Sequence, residues 1–436
     1  MTDKNQYFFT MLTDRFEPLN EKWAEALGKR FAHKFKPIHV LPFHHNSKFT
    51  NENYIVLNEG LEKIHNSMGR KDIINLIYPE DLNKQFSESK QINDLANKLI
   101  KKQGQVFVLS FTSVWLNLDN PKMIILGPKP SSTEKYDAKS EHYKTFKKLD
   151  IKTVETKSYK TIDALRQSKV EYPFFLSATY SSGGIESNAI FTKQDLEAYY
   201  AKLRPINKAE PLIVSKYIDD IQLAPNSSGL VTGINNTVVV CISDQILRNN
   251  RYMGNIYPSQ ANKKHLKQIQ DATIKVGNYL SKSGFRGLFG LDFLITRSGD
   301  CYAVDLNPRR QGGYYCNVMA SPVDLIDLEL KVALNEPLPN LSYEDFQVKY
   351  CWAHSKLAPY YPNMKIVDEF SLGKPDEPFK KLGTTHRAIY YPKNHVLMVG
   401  NPGFYLTSGR SYNEVKMRLY KETEELISKS YELYEG

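Results

Sequence analysis

The sharpest pattern of apolar and polar positions lies between Gly284 and Gly313, GFRGLFGLDFLITRSGDCYAVDLNPRRQGG. Two alternating runs flank Ser298-Gly299, which predicts two strands around a turn. Strand side chains point to alternate faces. The pattern therefore sets Asp292, Leu294, Ala303, Asp305 and Asn307 on one face. Leu291, Phe293, Ile295, Tyr302, Val304 and Leu306 fall on the other, the core side. Pairing centred on the turn brings Asp292 directly opposite Asp305.

Elsewhere the periodicities predict an α/β chain. The first third carries a helix over 21–31, strands over 54–57, 106–110 and 123–126, and a charged helix over 81–102, together an open α/β unit. The polar stretch 127–139 reads as its exit loop. A lysine-rich helix follows to about residue 146, then a strand over 172–176, a glycine-containing loop at 181–184 and a helix over 193–203. Strands over 212–217 and up to 238–242, a helix over 262–281, the hairpin and a helix over 322–334 come next. The tail reads as a turn and strand (400–410) and a helix from 412 to about 430. These boundaries suggest units at 1–132, 133–335 (with a smaller subdomain at about 160–240) and 336–436.

Composition narrows the classes. A chain of 436 residues with 41% hydrophobic content supports two or three full cores. Cys241, Cys301, Cys316 and Cys351 are widely spaced without a CxxC, which argues against a disulfide framework or structural zinc and suits a reducing cytoplasm. No secretory pattern opens the chain, and no apolar stretch approaches the ~18 residues that span a bilayer. The net charge of +10 comes from scattered lysines. No basic stripe interleaves with aromatics, so neither nucleic acid nor membrane is expected as a partner.

The hairpin carries the candidate chemistry. Opposed residues have Cβ atoms roughly 4.5–5.5 Å apart, and like charges there are destabilising. A cation between Asp292 and Asp305 removes that penalty. With the amide of Asn307 on the same face, the set is a hard-oxygen site suited to Mg²⁺ and phosphate chemistry. Arg309 and Arg310 follow at once. In the 181–184 loop, Ser181, Ser182, Gly183 and Gly184 allow a close backbone approach to phosphate. Arg248 and Arg251 are candidates to grip a substrate carboxylate bidentately. His33, His39, His44 and His45 lack partners at ligand spacing, so no second metal site is expected there.

The order of these pieces resembles the ATP-grasp superfamily of carboxylate–amine and carboxylate–thiol ligases. The likeness runs over roughly 137–320 and is strongest at the hairpin. It is nearest to the amino-acid and peptide ligases of natural-product pathways, of the pheganomycin peptide ligase type. The resemblance implies an ATP-grasp fold with an N-terminal Rossmann-like α/β domain and a small C-terminal α+β closing domain. It implies ATP and two Mg²⁺ ions, with Mn²⁺ able to substitute. Asp292, Asp305 and Asn307 would hold the metal, and Arg309 and Arg310 would act on the transferring phosphoryl group. Lys139 and the 181–184 loop would contact phosphate. Ser215, Lys216, Tyr217 and Ile218 would form the adenine hinge, with Leu294 also against the nucleotide. The implied reaction activates an amino-acid or peptide carboxylate as an acyl phosphate for an amine, or for the thiol of an acidic carrier protein; homodimers are common among similar enzymes. Two positions depart from the pattern: Ser177 stands where the family has a lysine, and Ser215 where it has a glutamate. A nucleotide-binding regulator with weakened turnover is the third expectation.

Overall fold

The computed structural model describes residues 5–12, 17–41, 54–57, 79–181, 184, 186–248, 251–356, 386–390 and 404–421. Five short apolar runs near the N-terminus, β1 (Gln6–Thr10), β2 (Phe35–Leu41), β3 (Tyr54–Val56), β4 (Val106–Leu109) and β5 (Met123–Ile125), make a parallel sheet in the order β3-β2-β1-β4-β5. Both faces are covered, which is why these strands read as continuous apolar runs. Phe8 packs with Trp23 and Leu27 of α1 (Glu17–Phe31), whereas Phe9 packs on the other side with Ile38 and Phe86. The strand order reverses between β1 and β4, so the crevice at the carboxyl ends of these strands is where such a sheet receives ligands.

Two predictions about the chain between these strands need correction. The stretch expected as one helix over 81–102 is two, α2 (Pro79–Glu88) and α3 (Lys90–Gln103). Ser89 between them is extended, and its hydroxyl caps Ile92 N–H, a local bond that serines form at the expense of helix continuity. The expected exit loop over 127–139 is mostly α4 (Pro130–Asp137), with proline at its first turn, where its missing N–H costs nothing. Extended Ala138 then leads into α5 (Lys139–Lys148).

A small antiparallel sheet follows: β6 (Thr156–Tyr159), β7 (Phe174–Ser177), β8 (Ser187–Ile190) and β9 (Leu212–Lys216), in the order β6-β9-β7-β8. Its apolar face, Phe174, Leu176, Ile190, Leu212 and Val214, packs on α6 (Ile162–Arg166) and α7 (Lys193–Ala201) through Ile162, Leu165, Leu196 and Tyr199.

The remaining strands build one large sheet. These are β10 (Ile221–Leu223), β11 (Pro225–Gly233), β12 (Asn236–Arg248), β13 (Arg251–Tyr257), β14 (Gly287–Thr296), β15 (Cys301–Asn307), β16 (Cys351–Lys356), β17 (His386–Tyr390) and β18 (Phe404–Gly409). The helix α8 (Lys263–Ser281), capped by Asn262, buries Ile269, Val276 and Leu280 against Phe289, Leu291 and Phe293 of β14. The helix expected over 322–334 is preceded by a further one: Tyr314–Ala320 and then Leu325–Ala333. Among the described residues no helix is long and apolar enough to cross a membrane.

The hairpin β14–β15 has the predicted pairing at the end that matters. Asp292 opposes Asp305, and Gly290 opposes Asn307. Beyond that point the register slips by one, so that Phe293 opposes Ala303 and Leu294 opposes Tyr302. Val304 is the extra residue of a bulge, which reverses the faces downstream of it. Ala303 is therefore core, and Tyr302 and Val304, expected in the core, are half-buried.

The C-terminal strands extend the large sheet rather than making their own. Gly254 of β13 pairs with Ser355 of β16, and a Cβ at Gly254 would stand 1.9 Å from the His354 carbonyl oxygen. Gly254→Ala is expected to force these strands apart and destabilise the protein by ~1–3 kcal/mol, read as a lowered urea midpoint. An unchanged midpoint contradicts the close pairing.

Candidate active site

The hairpin acids lie in a nearly buried cluster. Asp292 accepts from Asn226 Nδ2 at 2.5 Å, from Asn307 Nδ2 at 3.3 Å and from Gln311 Nε2 at 3.4 Å. Asp305 Oδ1 is 2.6 Å from Lys139 Nζ and 2.8 Å from His142 Nδ1. Lys139 and His142 are one turn apart on α5, so a single helix face delivers both to Asp305. The start of that helix is fixed by Lys139 N–H donating to Thr179 O at 3.0 Å.

The two carboxyls sit in different fields. Burial, and then the charge of Asp305, push Asp292 up to about 6. Burial opposes ionisation of Asp305 too, but the Lys139 ammonium and His142 hold it well below the usual carboxylate range. Two more acids complete the cluster. Asp137, at the end of α4, has its Oδ1 3.7 Å from Arg309 Nε, and burial raises its carboxyl despite that guanidinium. Glu80 of α2 is pushed up to about 7 by burial and by the charge of Asp137, and its Oε2 is buried without a hydrogen-bond partner.

The expected ligand set suits a phosphate-bound Mg²⁺. Such an ion takes one or two carboxylates and completes its shell with phosphate and water, and two opposed, half-buried carboxyls provide that. Among the described residues no group of three or more His, Cys, Asp or Glu could hold a metal by itself. Asn307 differs in detail from the expectation. Its Nδ2 faces Asp292, and its Oδ1 accepts from Arg309 Nη2 at 2.8 Å, so a metal-facing oxygen requires the amide to turn over. Of the expected histidines, His33 is exposed, His39 is buried on β2, and His44 and His45 lie outside the described residues.

Arg309 and Arg310 separate. Arg309 points into the cluster, held by Asn307 and Asp137. Arg310 does not, which corrects its expected catalytic role. Its guanidinium donates to Ser110 O at 2.6 Å and Leu126 O at 2.7 Å, and pairs with Glu329 at 2.6 Å. It stands over the rings of Trp23 and Tyr314, and so ties the hairpin to the carboxyl ends of β4 and β5.

The other expected residues are placed as follows. Leu294 is half-buried on the Asp292 side of β14. Ser215 lies on β9 with its hydroxyl 3.0 Å from Thr156 Oγ1. Lys216 N–H is used by Glu155 O at 2.9 Å, so this donor is unavailable to adenine. The Tyr217 ring lies edge-on to Phe191, and Ile218 follows the strand end, half-buried. Ser181 Oγ is 3.1 Å from Ser187 Oγ, Gly184 has φ +78, and Ser182 and Gly183 lie outside the described residues. Glu186, Arg204 and Asn207, unforeseen in the sequence, bond one another and the Tyr180 carbonyl beside this segment. Arg248 and Arg251 oppose each other across β12–β13, and their side chains lie outside the described residues.

Asp292 yields a test of this electrostatic arrangement. An acid whose folded value lies above its unfolded value favours its neutral form in the fold. Its penalty therefore appears as pH rises through about 4 and is complete above about 6. With chelator present, Asp292→Asn should be more stable than the parent at pH 7 by ~1–3 kcal/mol, with the difference vanishing near pH 4. Urea unfolding at the two pH values checks it.

Residues 137–313 match the family described as ATP-grasp domain. Over 234 residues the chain is 23% identical to the multifunctional protein pyrABCN of Emericella nidulans, a match that covers 52% of this chain and 10% of that protein. Over 100 residues it is 32% identical to the L-propargylglycine–L-glutamate ligase of Streptantibioticus cattleyicolor, covering 23% of this chain and 20% of the ligase. The chain thus spans a small share of these relatives' lengths. Among solved structures, the biotin carboxylase domain of Hydrogenobacter thermophilus 2-oxoglutarate carboxylase, in complex with MgADP, ADP and bicarbonate, superposes with a TM-score of 0.66 at 14% identity, covering 93% of this chain and 86% of that one. Residues 137–313 are therefore an ATP-grasp domain, within a chain that has the ATP-grasp fold.

Proposed function

We propose that this chain is an ATP-dependent carboxylate–amine ligase that activates an amino-acid or peptide carboxylate as an acyl phosphate, releases ADP and phosphate, and joins the acyl group to an amine. The observation that carries the reading is the half-buried juxtaposition of Asp292 and Asp305 with Lys139 and Arg309. Two carboxyls for a divalent cation, an ammonium and a guanidinium are the parts phosphoryl transfer needs, because its catalysis is mainly positioning and charge stabilisation. The partial match to a ligase named for two amino acids supports an amino-acid substrate.

Each residue has a role in this scheme. Asp292 and Asp305 would hold Mg²⁺, with the Asn307 amide beside them. When bound, the ion neutralises charge on the phosphate oxygens. Lys139 exchanges part of its contact with Asp305 for a phosphate oxygen. Arg309 faces the transferring phosphoryl group and then the acyl phosphate. Arg310 contributes by holding the hairpin on the N-terminal sheet, whose carboxyl-end crevice receives the substrate. In this scheme the substrate carboxylate itself attacks the γ-phosphorus.

A second reading, a nucleotide-binding regulator, is favoured by Ser177 and Ser215, which stand where the resemblance places a lysine and a glutamate. Turnover separates the two. Purified protein with ATP, Mg²⁺ and the twenty common amino acids should release ADP and phosphate only with particular substrates. AMP and pyrophosphate would contradict the acyl phosphate, and nucleotide binding without turnover would favour the regulator. Asp305→Asn should lower kcat by at least ~100-fold while the variant remains folded, as read by circular dichroism. Retained turnover removes the metal assignment.

A further inference from the structure

We infer that the outer face formed by α4, α5 and α8 is a docking surface for a protein whose contact region is rich in carboxylates. The surface stands on its own geometry. Only the role given below to the bound protein rests on the ligase reading.

The fold gathers charges that the sequence keeps apart. Ser132 of α4 donates to Ser283 O, just past the end of α8, at 3.4 Å. The rings of Tyr136 and Tyr279 stand edge-on with centroids 6.0 Å apart. From α5, Lys148 Nζ is 4.9 Å from the Tyr279 ring centroid and 3.5 Å from its hydroxyl. Lys135 Nζ is 5.1 Å from the Tyr136 ring centroid. Ring faces attract ammonium groups at such distances, which fixes both lysines over the tyrosines. Lys275 and Lys282 lie one turn before and one turn after Tyr279, so they share its flank of α8. The exposed ammonium groups of Lys135, Lys148, Lys275 and Lys282 are thus collected around one pair of rings.

The carboxylates of these helices are engaged elsewhere. Glu134 accepts from Trp115 N–H, Asp137 faces Arg309, Glu141 pairs with Lys144, and Asp271 pairs with Lys267. Exposed Asp150 stands beyond the end of α5. Among the described residues no ion pair answers Lys135, Lys148, Lys275 or Lys282. Like charges gathered on one face without counter-charge repel one another and build a field that draws in carboxylates.

The chemistry of the patch selects among polyanions. Nucleic-acid surfaces use arginine forks and open ring faces on which bases stack. Here the gathered cations are lysines, Tyr136 is buried, and an ammonium already covers the Tyr279 ring. A membrane surface needs an apolar face beside the charges. Exposed Ile274 is five residues from Tyr279 and so roughly 140° round the helix from it. Compact ammonium groups on flexible stems suit Asp and Glu side chains instead.

The patch also has a fixed relation to the acids of the site. The first residue of α5, Lys139, meets Asp305, and its last is Lys148. From 139 to 148 the helix rises by ~14 Å. A protein held at this distance presents a tethered amine or thiol to the acyl phosphate, so under the ligase reading the bound protein is the acyl acceptor.

Poly-L-glutamate, fluorescently labelled, is the probe, titrated with the whole chain by anisotropy. Two triple variants carry the same net charge. One joins Lys135→Glu, Lys275→Glu and Lys282→Glu on the patch. The other joins Lys98→Glu, Lys101→Glu and Lys102→Glu on exposed positions of α3. The patch variant should bind at least ~10-fold more weakly than the parent, and the α3 variant within about twofold of it. Circular dichroism checks that both are folded. If the patch variant is not, the three single Lys→Ala changes on the patch are compared with the three on α3, and only the former should weaken binding. Equal weakening by both sets assigns the binding to net charge and overturns the inference, as does a parent that binds no poly-L-glutamate. Duplex DNA or anionic vesicles bound more tightly than poly-L-glutamate, and lost in the patch variant, would overturn it in favour of another class of partner. Patch-dependent binding in a chain without ligase turnover would remove the acceptor role and leave the docking surface standing.

Discussion

Two carboxyls facing each other across one strand pair, inside the protein, are the constraint to which the rest of the site answers. Asp292 and Asp305 would repel in any hairpin, and burial makes the repulsion larger. The fold compensates with Lys139 and His142 on one acid and with amide donors from Asn226, Asn307 and Gln311 on the other. The compensation is unequal, since Asp305 is held ionised while Asp292 is lifted to about 6. Such an arrangement is costly as a structural device and useful as a cation site, because a divalent ion converts the repulsion into binding energy.

Three parts of the chain are organised around that pair. The parallel sheet presents the carboxyl ends of β4 and β5, to which Arg310 pins the segment following the hairpin. The helix after Ala138 delivers Lys139 and His142. The segment after β7 of the small sheet is tied to the same helix, its Thr179 carbonyl accepting from Lys139 N–H. Arg310 is buried with Glu329, Trp23 and Tyr314 around it, so its guanidinium is engaged away from the two acids.

Much of this was legible in the sequence for a physical reason. Opposed acids on an otherwise apolar hairpin conflict with local preference, and such conflicts mark sites. The pairing of Asp292 with Asp305 followed from alternation and the turn alone. The bulge at Val304 was not legible, because one extra apolar residue leaves the composition of both runs unchanged while switching the faces. Arg310 was misjudged because its partners Ser110 and Leu126 lie far away in sequence, and adjacency to Arg309 was the only local cue. His142 had a usable signal, three positions after Lys139 on a helix. Glu80 had none, since its importance comes only from being buried near Asp137 and Arg309. The break at Ser89 and the helix at Pro130 turn on capping and first-turn proline chemistry that a reading by polarity passes over.

The central claim is that Asp292 and Asp305 hold a divalent cation between the protein and nucleotide phosphates. Mn²⁺ tests it most directly, since its unpaired electrons broaden the ³¹P resonances of any phosphate it touches. With ADP and Mn²⁺ below the concentration of protein, the account predicts that the parent forms a ternary complex, seen as enhanced water-proton relaxation together with broadened ADP resonances. It predicts that Asp305→Asn loses the enhancement and leaves only the spectrum of Mn²⁺–ADP free in solution. An equal ternary complex in the variant, or Mn²⁺ bound to the parent without effect on the phosphates, would contradict the account.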